Sequence, residues 1–426
     1  MRKNPMLAIF LTVFIDLLGF GILIPVFPLL ISPGSPFRVT PEGWSFTQGL
    51  IMLGWLQAIF PFCIFIAAPI LGQLSDRHGR KPVLAFSIFG TALGYALFAI
   101  GISTANIPLL FAARALDGIT GGNLAVAQAA IGDVSTHENR AKNFGMLGAA
   151  FGLGFIIGPY LGGRLSSPDT SFYGLFHTPS WFGATTPFWF ATILALANCA
   201  SILTMFPETL KEKFHGGRIK ISRAVSNVVG GFKSDRLRVV LMAGFLFSAG
   251  FTFFTTFFGV YLRNNFNFSS AKIGDYFAIV GMFIAVSQAV VVAKVAKKLA
   301  DWKVLRFSMF GLGAMMLVYF VIPTSSSSYL YLVIPFFTLF NGLTMANMSS
   351  LISRSAEMGQ QGQAMGIYSS VSSLAQVPAS ILVGYITSDI TSSQPLFVSS
   401  ACIILGGAVF FVLFKPKYVM ESAHAE

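Results

Sequence analysis

Twelve runs of predominantly apolar residues follow one another along this chain, near 6–31, 48–72, 82–101, 108–133, 142–164, 187–207, 237–262, 273–293, 304–323, 328–353, 363–387 and 394–414. A hydrocarbon core about 30 Å thick needs about 20 apolar residues of helix to cross it. No water is available there, so each segment must bond its own backbone groups, and a helix does so. The expected fold is therefore an all-α integral membrane protein of twelve transmembrane helices. Only 10% of the 426 residues are Asp, Glu, Lys or Arg, against about a quarter in soluble domains. Soluble enzyme, secreted scaffold and disordered chain are all excluded.

The net charge of +12 would suggest nucleic acid in a soluble protein, but its distribution has a topological meaning. With the N-terminus placed in the cytoplasm, 23 of the 28 Lys and Arg fall on the inner side, among them Arg2, Lys3, Arg77, Arg80, Lys81, Arg140, Lys142 and the eight from Lys211 to Arg238. This is the positive-inside pattern. It predicts both termini in the cytoplasm and no nucleic-acid partner, because the charges are spread over separate short segments. Trp44, Trp181 and Trp189 fall at the outer boundary and Trp302 at the inner one, as interfacial aromatics do.

Cys63, Cys199 and Cys402 each lie inside an apolar run, without CxxC spacing, and the five histidines lie outside the runs. No disulfide framework, metal site or cofactor is expected. No HExxH or paired intramembrane acids mark a membrane-embedded enzyme.

The longest inner loop, 208–236, is polar, basic and dotted with glycine, and it divides the runs six and six. The expected organisation is an N-terminal six-helix bundle, 1–207, a cytoplasmic linker, 208–236, and a C-terminal bundle, 237–426, with a short cytoplasmic tail. Gly72 to Lys81 has a weak counterpart at Ala293 to Trp302. Repeated halves of this kind give transporters a pseudo-twofold axis and a site that each side reaches in turn.

Charge within the membrane is costly and marks function. Asp16 lies about ten residues into the first run, roughly 15 Å deep at 1.5 Å per residue. Arg114 and Asp117, spaced i,i+3 in the fourth run, share a helix face. A carboxylate that moves between a dry environment and the field of an arginine changes its affinity for protons, so Asp16, Arg114 and Asp117 are the expected proton-coupling residues. A permanent Arg114–Asp117 ion pair is the structural alternative. The segment Gly72-x3-Asp76-Arg77-x-Gly79-Arg80-Lys81 is too dense in charge and glycine for a plain connector. It is expected to be a cytoplasmic latch, with Asp76 capping a helix N-terminus in the other half and Arg77 or Arg80 pairing with Asp133.

Gly145, Gly154, Gly158, Pro159, Gly162 and Gly163 allow close packing and a bend in the fifth run. Gln57, Asn123, Gln288 and Asn341 are candidates for lining a substrate cavity. In the seventh run, Phe245, Phe247, Phe251, Phe253, Phe254, Phe257 and Phe258 cover every helix face, so most are expected to face lipid.

At these residues the chain resembles the major facilitator superfamily, and within it the twelve-span drug:proton antiporters typified by bacterial tetracycline exporters. Asp16-x2-Gly19-x-Gly21-x3-Pro25-x2-Pro28 is similar to their first-helix motif, and Gly72 to Lys81 to the superfamily's signature between helices 2 and 3. Arg114-x3-Gly118 resembles the helix-4 motif linked to proton transfer. Gly145-x8-Gly154-x3-Gly158-Pro159-x2-Gly162-Gly163 resembles the helix-5 signature of antiporters. The chain departs from the tetracycline exporters in having no acid in helix 3 around Gly94, Ile284 in place of a helix-8 histidine, and no acid in helix 9.

The resemblance implies proton-coupled export of small lipophilic or amphipathic molecules by alternating access, in a monomer of the cell inner membrane whose partners are the substrate, protons and the lipid bilayer. Uptake of a metabolite by symport or uniport, or a receptor function on the same fold, stays open at the level of sequence.

Overall fold

A computed structural model describes residues 5–135, 140–172, 176–210, 222–296, 298–355, 361–387 and 393–416. The chain is a multi-pass helical membrane protein, and every apolar run falls on helix. The helices are α1 (Pro5–Ile31), α2 (Phe46–His78), α3 (Arg80–Ser103), α4 (Ile107–Thr120), α5 (Asn123–Val134), α6 (Arg140–Leu165), α7 (Thr186–Met205) and α8 (Arg223–Lys233). They continue with α9 (Arg238–Phe266), α10 (Ser270–Val286), α11 (Ala293–Ala296), α12 (Asp301–Val321), α13 (Ser328–Ser355), α14 (Gln361–Ile386) and α15 (Gln394–Leu413). Among the described residues, nine helices are long and apolar enough to cross a membrane. A short antiparallel hairpin, β1 (Ser171–Phe172) and β2 (Phe176–His177), interrupts the loop before α7.

Local chemistry sets the helix ends. Ser45 and Gln48 form a reciprocal capping box at the start of α2, satisfying two donors that the first turn leaves free. Asn106 accepts from the Leu109 N–H at the start of α4. Gly79 separates α2 from α3 at φ 106°, a backbone region that costs a side-chain-bearing residue dearly.

The structure departs from the expected spans at two points. The fourth run is two helices, because the chain breaks at Gly121-Gly122, where α4 ends and α5 begins; paired glycines weaken the helix and let it turn. The eighth run passes from α10 into a π-helical stretch, Ser287–Val292, before α11. Part of the expected linker, 211–221, lies outside the described residues, and Arg223–Lys233 of it forms α8.

The chain forms two compact units. One comprises Met1–Ile221 with Asn267–Gly281, and the other Ser222–Phe266 with Met282–Glu426. In the first, α1 packs along α6, α3 along α7 and α4, and α2 along α4. In the second, α9 lies against α15 and α14, and α12 against α13 and α15. This position of α9 corrects the expectation for its phenylalanines. Phe247, Phe253, Phe254, Phe257 and Phe258 are buried, and Phe254 packs against Phe258, Tyr319 and Phe337. A helix enclosed by neighbours on several sides is apolar all round for the same reason as one in lipid, so composition does not separate the two cases.

Candidate functional site

The first unit encloses a cluster of charge. Arg114 and Asp117, one turn apart on α4, are 3% and 5% exposed, and Arg114 Nη1 donates to Asp117 Oδ2 at 2.8 Å. The guanidinium lies over the Phe60 ring of α2, 4.2 Å from its centroid. Its Nε and Nη2 have no hydrogen-bond partner among the described residues. From α1, Asp16 approaches the side chain of Asn123, the first residue of α5, and lies in the field of Asp117. Asn123 is fully buried, and neither atom of its side-chain amide has a hydrogen-bond partner among the described residues. The break at Gly121-Gly122 thus starts a new helix with its first side chain beside Asp16. A cavity of about 10 Å³, near the lower limit for one water, is lined by Leu23, Gly94, Tyr95, Arg114, Asp117 and Phe188, among others.

Glycines set the spacing around this cluster. A Cβ at Gly154 would meet Leu17, one at Gly158 would meet the Leu18 carbonyl and Gly21, and one at Gly162 would meet Ile22 and Pro25. Three glycines at four-residue intervals therefore form one seam, which seats α6 directly on the backbone of α1 beside Asp16. Pro159 packs on Gly21 in the same seam. Gly163 faces another way, against Ser270 and Gly274 of α10. The surroundings of Gly145 lie outside the described residues. Next to Gly163, Arg164 makes a two-pronged bond to Asp275 of α10, with Nη2 2.8 Å from each carboxylate oxygen and Nε 3.2 Å from Oδ1. Arg164 Nη1 also donates to the Ser171 carbonyl of β1 at 2.6 Å.

At the other end of the unit, Arg80 is the hub of the glycine-rich turn. Its Nη1 donates to Asp76 Oδ1 and Ser75 Oγ, each at 2.6 Å, and its Nε to Asp133 Oδ2 at 3.0 Å. Of the two arginines the turn offers to Asp133, Arg80 makes this bond. Glu208, placed by sequence in the linker, accepts from the Arg80 and Lys81 backbone N–H groups at 2.8 and 3.2 Å, and its carboxylate fills the space a side chain at Gly79 would need. Thr209 Oγ1 adds a bond to Asp133 at 3.3 Å. Gly72 has open space beside it.

The second unit carries a clamp of the opposite sign. Asp301, the first residue of α12 as Arg80 is of α3, accepts from Ser350 Oγ at 2.5 Å and pairs with Arg354 Nε at 3.3 Å. The two clamps stand differently toward the helix dipoles. An acid at the start of α12 and a base in the last turn of α13 are each favourable. A base at the start of α3 and an acid in the last turn of α5 are each unfavourable. The first clamp therefore depends on its mutual pairing and on the Glu208 carboxylate, and the second is favoured at both ends.

The polar residues expected to line a cavity are divided. Gln57 and Asn123 are buried in the first unit, and Asn341 is buried in the second with Oδ1 unbonded among the described residues. Gln288 lies exposed in the π-helical stretch of the second unit. Sequence reasoning missed Glu208, Tyr95 and the Asp301–Arg354 pair. The last was within reach, because the register of the internal repeat sets Arg80 opposite Asp301. Glu208 in a polar loop and Tyr95 in an apolar run carry no such signal.

The Major Facilitator Superfamily model matches residues 9–379. The tetracycline resistance protein, class H, of Pasteurella multocida is 29% identical over 393 residues, which cover 91% of this chain and 90% of that protein. The class C tetracycline resistance protein of Escherichia coli is 27% identical over 385 residues, 89% of each chain. Among solved structures, the human organic anion transporter MFSD10 superposes with a TM-score of 0.69 at 21% identity, over 95% of this chain and 98% of that one. A D-xylose-proton symporter superposes with a TM-score of 0.74 at 15% identity, over 97% and 98%. With its all-helical membrane fold, its buried charges and a family match spanning most of its length, the chain belongs to the major facilitator superfamily and is a membrane transporter rather than an enzyme.

Proposed function

We propose that this transporter exports small lipophilic or amphipathic molecules in exchange for protons, by alternating access between its halves, 1–207 and 237–426. The observation that carries the proposal is the composition of the cluster: two carboxyl groups, the half-buried Asp16 and the buried Asp117, are served by one guanidinium, Arg114. The carboxylate left over is costly to keep charged in a dry interior, and a transported proton neutralises it. Substrate entry that alters the environment of Asp16 then releases that proton. The glycine seam between α1 and α6 supports the proposal, since it ties the helix bearing Asp16 to a rigid neighbour. The clamp around Arg80, Asp76 and Asp133 is the inner latch in this scheme.

The tetracycline resistance proteins among the relatives favour export of a drug-like compound. A proton moving down 100 mV yields about 2.3 kcal/mol, enough for a concentration ratio of about fifty-fold. The proposed setting is a bacterial inner membrane, with a monomer whose termini are both cytoplasmic.

The test is proton release by the purified protein in weakly buffered detergent as tetraphenylphosphonium, tetracycline and common metabolites are added in turn. Release on adding a lipophilic compound, absent in Asp16→Asn, is expected. Release by a metabolite alone would replace export of lipophiles with another substrate class, and undiminished release in Asp16→Asn would remove Asp16 from the mechanism. For the topology, a cysteine introduced at Lys213 should resist an impermeant reagent added outside intact cells, and labelling there would invert the assignment.

A further inference from the structure

Where α12 begins and α15 finishes, the second unit carries cations that no carboxylate answers. Trp302 and Lys303 lie in the first turn of α12 and Arg306 in the next. The Lys303 ammonium sits over the Trp302 ring, 5.4 Å from its centroid, and the Arg306 guanidinium over the same residue at 4.8 Å. Arg306 also reaches across to α15, where it lies 5.0 Å from the Phe411 ring centroid and donates from Nη2 to the Phe414 carbonyl at 3.3 Å. Its Nε is buried with no hydrogen-bond partner among the described residues. Lys415, next to Phe414, is exposed, as is Lys303. Among the described residues, none of these three cations pairs with a carboxylate. Asp301 beside them is taken by Arg354 and Ser350.

Such an arrangement is costly by itself. Like charges at i,i+3 on a helix repel, and Lys303, in the first turn, opposes the helix dipole. Ala300, the N-cap of α12, supplies no side-chain acceptor to the first turn. Capping of α15 accounts for Nη2 of Arg306, one donor among the five of a guanidinium, and for neither lysine. An anion beside Trp302 offsets each of these costs. One turn farther toward the middle of each helix the surface becomes apolar, with Phe307 and Phe411 exposed. A ligand with phosphate at one end and hydrocarbon at the other matches both parts, and tryptophan is the residue that sits at headgroup level. We infer that Lys303, Arg306 and Lys415, around Trp302, bind the phosphate of an anionic phospholipid whose acyl chains lie along Phe307 and Phe411. The bound lipid joins the start of α12 to the end of α15. In the proposed topology this end meets the cytoplasmic leaflet, whose surface is negative. The site stands whatever the protein transports and whether or not protons drive it.

The test titrates the purified full chain, in neutral detergent, with phosphatidylglycerol and separately with phosphatidylcholine of the same acyl chains, and counts bound lipid by native mass spectrometry. The wild type is expected to bind one phosphatidylglycerol at least about ten-fold more tightly than phosphatidylcholine. Lys303→Gln, an exposed change that leaves the rings in place, should weaken that lipid about five-fold, the worth of one cation near an anionic surface. Lys303→Gln combined with Arg306→Gln should bring it to the phosphatidylcholine level while far-ultraviolet circular dichroism shows the helices intact. Lys272→Gln is the control, because that ammonium also lies over a ring, 4.1 Å from the Phe268 centroid, but in the first unit; it should change nothing. No preference in the wild type, an undiminished preference in Lys303→Gln, or equal weakening by Lys272→Gln would overturn the site. Displacement of the lipid by millimolar inorganic phosphate would overturn the lipid and assign the cations to a soluble anion.

Discussion

The seam between α1 and α6 yields a prediction with its own internal control. Gly158 and Gly152 lie on the same helix, yet a methyl group at Gly158 would stand 2.7 Å from the Leu18 carbonyl oxygen and 3.0 Å from the Gly21 Cα, whereas Gly152 has nothing within 4 Å. Carbon–oxygen contacts between helices settle near 3.3–3.6 Å, so Gly158→Ala forces the backbones apart by roughly 0.6 Å. A gap of about 0.5–1 Å forfeits a quarter to a half of each dispersion contact it opens, and overpacking of this kind costs about 1–3 kcal/mol. Alanine also gains up to about 1 kcal/mol over glycine in a helix interior, a gain both variants share.

Subtracting one variant from the other therefore isolates the clash. Gly158→Ala should be about 1–3 kcal/mol less stable than Gly152→Ala, measured by equilibrium unfolding in detergent followed by far-ultraviolet circular dichroism. Equal stabilities would refute the claim that Gly158 is set by backbone contact with α1.

Three further outcomes are expected. Asp275→Asn strips the Arg164 guanidinium of its carboxylate partner and should cost about 1–3 kcal/mol, while Arg164→Asp with Asp275→Arg should recover much of it in the same unfolding assay; no recovery would mean the pair contributes little. Glu208→Gln removes the charge that offsets Arg80 at the start of α3, so the Arg80 and Lys81 amides should exchange about ten-fold faster by hydrogen-exchange mass spectrometry; unchanged protection would dispose of Glu208 as a cap. Asp301→Asn should weaken its own clamp without altering exchange at Arg80, and a change there would show that the two clamps are energetically linked.

The amino-acid sequence alone determined the class of molecule and which stretches are helical, because a bilayer imposes one severe criterion, about 20 apolar residues without free backbone groups; the breaks at Gly121-Gly122 and Ser287–Val292 it did not show. It also marked Asp16, Arg114 and Asp117, since charge in such a run stands out against its surroundings. The glycine spacing of α6 and the dense turn at Gly72 to Lys81 were legible for the same reason. Tertiary structure decided which partner each of these groups takes. Gly154, Gly158 and Gly162 met α1 while Gly163 met α10, and Arg80 rather than Arg77 reached Asp133.

Tyr95 and Glu208 took their neighbours from helices distant in sequence, Gly19 of α1 for one and the start of α3 for the other. The reason is physical. A helix that is apolar on every side gives no sign of its rotation about its own axis, because lipid and protein interior attract such a surface alike. The phenylalanines of α9 illustrate this, since their sequence fits a lipid-facing surface and neighbouring helices enclose them. Rotation is fixed by small-residue contacts and by pairing of the few polar groups, and those pairings exist only once the helices have met.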